Sequence, residues 1–182
     1  MSLYDDIKKL HVDLASEMNA KWDRSLPFQD LISDRWERAK SLGMGHATSI
    51  YESSYIYGNV KVGDNTWIGP FTLLDGVAGI KIGNYCSISA GVQIYSHDTV
   101  KWALSLGREK KKLAPVVIGD GVFIGPLSVI KAGISIGNQC VIGASTYVNK
   151  DIPSKSIAVG SPAKIIGQVE LSSDGAIELK YF

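Results

Sequence analysis

The feature that most constrains this chain is a period of six. Aliphatic residues recur as Ile50, Ile56, Val62, Ile68 and Leu74, then as Ile82, Ile88 and Ile94, and after a break as Ile118, Ile124, Ile130, Ile136, Ile142 and Val148. Seven of them are followed directly by glycine: Gly63, Gly69, Gly83, Gly119, Gly125, Gly137 and Gly143. Two positions ahead of an aliphatic sits a small or β-branched residue, as at Thr66, Thr72, Cys86, Val92, Val122, Ser128, Cys140 and Thr146. A spacing of two places both side chains on one face of a short strand. Two inward positions and a corner every six residues describe an all-β solenoid, a triangular parallel β-helix with three short strands in each turn of about 18 residues. The period spans about five coils, a prism roughly 20 to 25 Å tall at about 4.8 Å per stacked strand. A sandwich of short alternating strands competes with this reading, but it rarely holds one period through six consecutive units. Parallel crossovers are right-handed in about 98% of cases, so the period alone does not give the hand of this coil.

The phase also accounts for the two cysteines. Cys86 and Cys140 each stand two before an aliphatic corner residue, which makes them small core residues rather than reactive thiols. With no CxxC, they form neither a disulfide framework nor a zinc knuckle. Of 182 residues, 45% are hydrophobic, and 19 basic against 18 acidic residues leave a net charge of +1. That balance supports a globular core and gives no field that would gather nucleic acid. The leading MSLYDDIKKL has acids where a secretory signal needs a basic lead, and no apolar run approaches the roughly 18 residues of a spanning helix. A cytoplasmic chain without membrane insertion is expected.

Three segments follow: a helical segment over 1–45, the β-helix over 46–167, and a hairpin or tail over 168–182. Leu3, Ile7, Leu10, Leu14 and Met18 predict an amphipathic helix over 3–22. A second helix begins near Ser25 with Pro27 in its first turn, carries Phe28, Leu31, Ile32 and Trp36 on one face, and stops at Gly43 and Gly45. The pair should cap one end of the solenoid or pack on a neighbouring subunit, because a terminal coil exposes core and strand edges. GQVEL, the turn SSDG and AIELKYF predict a closing hairpin.

The period breaks twice. Two extra residues within Asp75-Gly76-Val77-Ala78-Gly79 predict a bulge at a corner. Between Ile94 and Ile118 the register would bury Lys112, so an extruded loop is expected at about 97–115. Function tends to sit on loops thrown from a rigid scaffold. His97 stands at the root of this one, three residues past Ile94 and therefore facing outward, whereas His11 lies in the first helix and His46 in a glycine-rich link. A neutral imidazole can take a proton from a hydroxyl or an amine at neutral pH. Asp98 is a candidate to orient the ring, although neighbours in an extended segment point to opposite sides. A catalytic zinc would want three imidazoles or their equivalents, and the solenoid offers one. The run Arg108, Glu109, Lys110, Lys111, Lys112 reads as a solvated rim or as a clamp for phosphate groups.

The stretch VVIGDGVFIGPLSVIKAGISIGNQCVIGASTYVNKDIPSKSIAVGSPAKII resembles the C-terminal half of the hexapeptide-repeat acetyltransferases, the group that includes galactoside, maltose and serine O-acetyltransferases and sugar N-acetyltransferases. The likeness covers about residues 50 to 167. It implies a left-handed parallel β-helix, a homotrimer, acetyl-CoA as co-substrate in the groove between prisms, no metal, and a histidine general base, which His97 matches. Phe123, beside Gly125, takes the place in which galactoside and maltose enzymes carry tryptophan against the pantetheine. Gly143 and Ala144 would face the pantetheine amides, Asn149 and Lys150 match a Thr-Lys pair near the cofactor, and Lys164 matches a basic residue near the adenine phosphates. Pro126 replaces a frequent serine and removes a hydroxyl and a backbone donor.

The segments LLDG and YSHD resemble those of acetyltransferases acting on sugars in surface-polysaccharide biosynthesis, which implies Asp75, Tyr95 and Asp98 on the acceptor. The expected function is acetyl transfer from acetyl-CoA to a hydroxyl or amine of a sugar or nucleotide-linked sugar by direct attack. Alternatives are a non-catalytic scaffold subunit, a serine-type O-acetyltransferase, and a zinc-binding relative of the γ-class carbonic anhydrases. A trimer would cover outward aromatics at Tyr95, Phe123 and Tyr147.

Overall fold

The computed structural model describes residues 2–172 and 175–182. The aliphatic residues of the hexads stack in three columns, one on each inner face of the prism. On the first face the register runs Ile50, Ile68, Ile88, Ile124, Ile142 and Ala158, each parallel to the next. On the second it runs Ile56, Leu74, Ile94, Ile130 and Val148. On the third it runs Val62, Ile82, Ile118, Ile136 and Ile152. Nearly all of these side chains are fully buried, Ile56 being the one left half-buried. Each fully buried Ile, Leu or Val among them contributes about 1.5–3 kcal/mol by leaving water. The stack has about six turns. Its last level is built by Ile152 and Ala158, which the strict period ending at Val148 does not include because the side between Val148 and Ile152 is two residues short.

The corners explain the glycines and some residues beyond them. Between the first and second faces, Phe71, Gly91, Leu127 and Ser145 have φ near +60°, the third position of a type II turn, whose second position favours proline. Pro70 and Pro126 occupy that second position. The coil bonds there come from the next residue, with Leu127 N–H donating to Ala90 O and Ser145 N–H to Pro126 O. Pro126 therefore removes no donor that the coil uses.

At the corner between the third and first faces, side-chain oxygens form a ladder. Asp64 N–H donates to Asn84 Oδ1, Asn84 N–H to Asp120 Oδ1, Asp120 N–H to Asn138 Oδ1 and Asn138 N–H to Ser154 Oγ, at 2.7 to 3.0 Å. The glycine ahead of each makes room for the neighbour's side chain. A methyl on Gly119 would overlap Asn138 Oδ1.

At the N-terminal end, α1 spans Leu3–Trp22 and opens with a capping box between Ser2 and Asp5. The expected second helix divides into α2, Phe28–Ile32, and α3, Arg35–Ser41, because Asp34 caps a new start by accepting from Trp36 and Glu37 N–H. It is α3 that covers the first coil. Ala39 is fully buried, and the Arg38 guanidinium donates to Tyr51 O and Ser54 O beside a 2.9 Å ion pair with Glu52. α1 buries no residue and rests on α2 through His11 against Phe28.

At the other end, Lys164–Leu171 pairs antiparallel with Ser156–Val159 and then with Ile177–Tyr181, the predicted hairpin. Ser173 and Asp174 of its turn lie outside the described residues. No helix is long and apolar enough to cross a membrane among the described residues.

Candidate functional site

Both interruptions of the period fall at one corner, between the second and third faces, on consecutive coils. Asp75 opens the bulge on one coil, and Ser96 and His97 open the loop on the next, where Tyr95 pairs in register with Asp75. Ser96, wholly buried, fixes the junction. Its N–H and Oγ both donate to Asp75 O, its Oγ accepts from Ala78 N–H, and its carbonyl accepts from Ala114 N–H where the chain returns. His97 Nδ1 then lies 3.1 Å from Asp75 Oδ1. A ring N–H directed at this carboxylate fixes the tautomer and leaves Nε2 with a lone pair that can accept a proton. The side chains of His97 and Asp75 retain only 21% and 11% of their exposure. The ring is therefore mostly covered rather than freely outward. Asp98 does not orient it, because its Oδ1 accepts from Val100 N–H.

The loop has structure of its own. His97–Asp98 and Lys112–Leu113 form a short antiparallel ladder that closes the root, and α4, Val100–Leu104, lies beyond it. A groove of about 640 Å³ opens beside His97. Tyr95, Val129 and Tyr147 form its wall on the second face, Asp98, Lys101 and Lys112 come from the loop, and Lys131 from the corner above. Tyr95 and Tyr147 are half-buried there, so of the three aromatics expected outward only Phe123 is exposed, at 43%. Of the basic run, Lys112 reaches the groove. Arg108 is tied back to Ser105 O, and Glu109 lies 3.8 Å from Lys101.

Most of the other singled-out residues occupy a different part of the prism. Phe123 stands on the first face and pairs with Val141. Gly125 and Gly143–Ala144 stack at the corner between the first and second faces, so closely that a methyl on Gly125 would come 2.6 Å from Ala144 N. Lys164 is exposed on the closing hairpin opposite Val159. Asn149 and Lys150 follow Val148 at the same corner as His97. The second face thus lies between His97 and the Gly125–Ala144 stack within one prism, and the two do not meet in a single chain.

Cys86 and Cys140 are buried and unpaired by disulfide, and burial pushes both thiols up from their ordinary pKa. Each Sγ donates inward, to Gly119 O and Pro153 O respectively. Among the described residues no group of three His, Cys, Asp or Glu could hold a metal.

Two parts of the chain match family models, residues 115–150 the bacterial transferase hexapeptide (six repeats) and residues 59–96 the hexapeptide repeat of succinyl-transferase. A hexapeptide-repeat containing acetyltransferase from Vibrio cholerae, solved with acetyl coenzyme A, superimposes with a TM-score of 0.68 at 26% identity, over 90% of this chain and 88% of that one. A maltose O-acetyltransferase from Clostridium difficile gives 0.62 at 26% identity, over 93% and 90%. Serine acetyltransferase 2 of Arabidopsis thaliana is 35% identical over 63% of this chain and 34% of its own length. The chain spans about a third to three fifths of the length of such curated relatives. By its repeats and by its coil, the chain is a left-handed parallel β-helix of hexapeptide repeats, similar to these acetyltransferases.

Proposed function

We propose that this protein transfers an acetyl group from acetyl-CoA to a hydroxyl or amine of a sugar or nucleotide-linked sugar, with His97 as general base. The observation that carries the reading is the His97–Asp75 pair at the edge of the groove, with Nε2 as the unengaged ring nitrogen. In this mechanism Nε2 takes the acceptor's proton as its oxygen or nitrogen attacks the thioester carbonyl. The C–S bond breaks, and His97 returns the proton to the departing thiolate. Asp75 acts as a positioning residue that stabilises the imidazolium formed between the two steps. General-base help of this kind contributes about 10²- to 10⁴-fold, and holding both reactants in one groove contributes further.

Acetyl-CoA would meet the chain at Phe123, Gly125, Gly143, Ala144, Asn149, Lys150 and Lys164, and the acceptor at Tyr95 and Asp98. The backbone at Ala144 suits the pantetheine amides, since the second position of its turn donates no bond within the coil. Because His97 and this stack lie on opposite sides of one face, the reading places a complete site between two prisms of a cyclic homotrimer, in the closed symmetry usual for homo-oligomers.

The test is His97→Ala. The expected result is a kcat lower by about 10²- to 10⁴-fold with unchanged CoA affinity by calorimetry. Full activity in this variant refutes the base, and failure to bind CoA at millimolar concentration in the unaltered protein refutes the transferase in favour of a scaffold.

A further inference from the structure

We infer that the strand Ile177–Tyr181 is a self-pairing edge, through which two copies of this chain join antiparallel about a two-fold axis at Leu179. The inference does not depend on the transferase reading. The strand ends the eight-stranded sheet: it pairs with Lys164–Leu171 on one side and with no strand on the other among the described residues, and all of its residues are exposed. Phe182 N–H donates to Ile166 O, and Ser172 N–H donates to Ala176 O. Hydrogen-bonded pairs alternate along an antiparallel ladder, so Glu178 and Lys180 direct their backbone groups into the hairpin. Ile177, Leu179 and Tyr181 therefore turn their N–H and C=O outward along the open edge. Such an edge is a template for another strand.

The charges decide which strand fits. Glu178 stands directly opposite Glu170, an unfavourable like pair. Lys180 bridges to Glu170 at 2.5 Å, and Glu178 has no ion pair among the described residues. When two copies meet antiparallel with Leu179 opposite Leu179, every outward N–H and C=O of Ile177, Leu179 and Tyr181 finds a partner. Glu178 of one copy then lies opposite Lys180 of the other, twice by symmetry, at the non-hydrogen-bonded positions where side chains come closest. On the other face Ile177 meets Tyr181, a β-branched residue against an aromatic one. Sliding the register by two residues keeps the backbone groups in phase but sets Glu178 against Glu178, or Lys180 against Lys180. A lysine on an edge ordinarily deters pairing; in the Leu179 register it attracts. A contact of this kind is isologous and closes on itself.

The edge lies beyond the last coil, on the far side of Lys164–Leu171 from Ser156–Val159, so it joins prisms end to end and leaves their sides to other neighbours. A single short strand from each copy falls well short of the about 1,200 Å² of a stable complex. The joint is therefore concentration-dependent, doubling the side-by-side assembly as concentration rises.

Disulfide cross-linking reads the register. Leu179→Cys places a thiol opposite its own copy, at the roughly 5.5 Å Cα separation of a hydrogen-bonded pair, which a disulfide spans. Ile177→Cys places it out of step with its copy, and the native Cys86 and Cys140 are buried. Oxidation with diamide is expected to link Leu179→Cys into a dimer and to leave Ile177→Cys unlinked. No dimer in the first, or equal dimer in both, overturns the proposal. In sedimentation across a concentration series, Glu178→Lys and Lys180→Glu should each weaken the doubling at least about tenfold, because each sets like charges opposite at two places. The double reversal Glu178→Lys/Lys180→Glu should restore it, since the pairs re-form with their signs exchanged. A mass that does not rise up to about millimolar chain, or a double reversal no better than the single ones, overturns the self-pairing edge and leaves the transferase reading standing.

Discussion

His97 Nδ1 sits 3.1 Å from Asp75 Oδ1, although 22 residues separate them in sequence. The pair exists because one coil advances each hexad by a full turn, so the first residue of the bulge lies beneath the first residues of the loop. Ser96 bonds directly to the Asp75 backbone, which ties the two coils together at the corner that carries the pair.

Asp75→Asn should therefore act through the ring. An asparagine can present its NH₂ to Nδ1 and favour the opposite tautomer, so kcat is expected to fall about 10- to 100-fold, less than in His97→Ala. The pH profile of kcat should shift, while CoA affinity and melting temperature stay unchanged. An unaltered kcat and profile would remove Asp75 from the mechanism.

The buried thiols predict an alkaline effect on stability. Burial raises the Cys86 and Cys140 thiols in the folded chain above the ordinary thiol pKa, so in the alkaline range the folded state holds more protons than the unfolded state. Their contribution is fully present below about pH 9 and is lost as pH rises toward the folded values. The urea midpoint should fall over this window, and the double variant Cys86→Val/Cys140→Val should fall less. Valine is chosen because Val122 fills the equivalent inward position on the coil between them. Equal losses in both proteins would refute the assignment.

The corner ladder sets a scale for two further variants. Asp120→Ala removes the acceptor of Asn84 N–H and Asn84 Nδ2 at an exposed corner, for an expected loss of about 1 kcal/mol. Gly119→Ala forces a methyl against Asn138 Oδ1 and should cost about 2 kcal/mol or more. Urea denaturation gives both values, and the reverse order would show that the ladder is not what the glycine accommodates.

For the proposed assembly, light scattering should give roughly three times the 19.6 kDa chain mass. Leu127, 66% exposed beside the Gly125 corner, and Phe123 are expected to become protected. Leu127→Glu should shift the mass toward monomer and abolish turnover, because the proposed site takes half of its residues from the neighbouring prism. A fully active monomer would refute the shared site.

The period of six determined the architecture by itself. Inward Ile and the residue two before it recur so regularly that only a coil with three sides buries them all, and the extrusion of the loop followed from the impossibility of burying Lys112. His97 was legible for the same reason, standing where that regularity fails. The partner of His97 was not legible. Asp98 is adjacent in sequence but turns to Val100, whereas Asp75 is reached only when one coil lies on another. The same stacking decided the Asp/Asn ladder, which is not a pattern within any single hexad. The division of the second helix at Asp34, and the cover that α3 rather than α1 gives the first coil, were also decided in three dimensions. Spacing along the chain fixes which side chains face inward, but contacts between coils depend on how many residues each corner holds, and only the folded stack brings those corners into register.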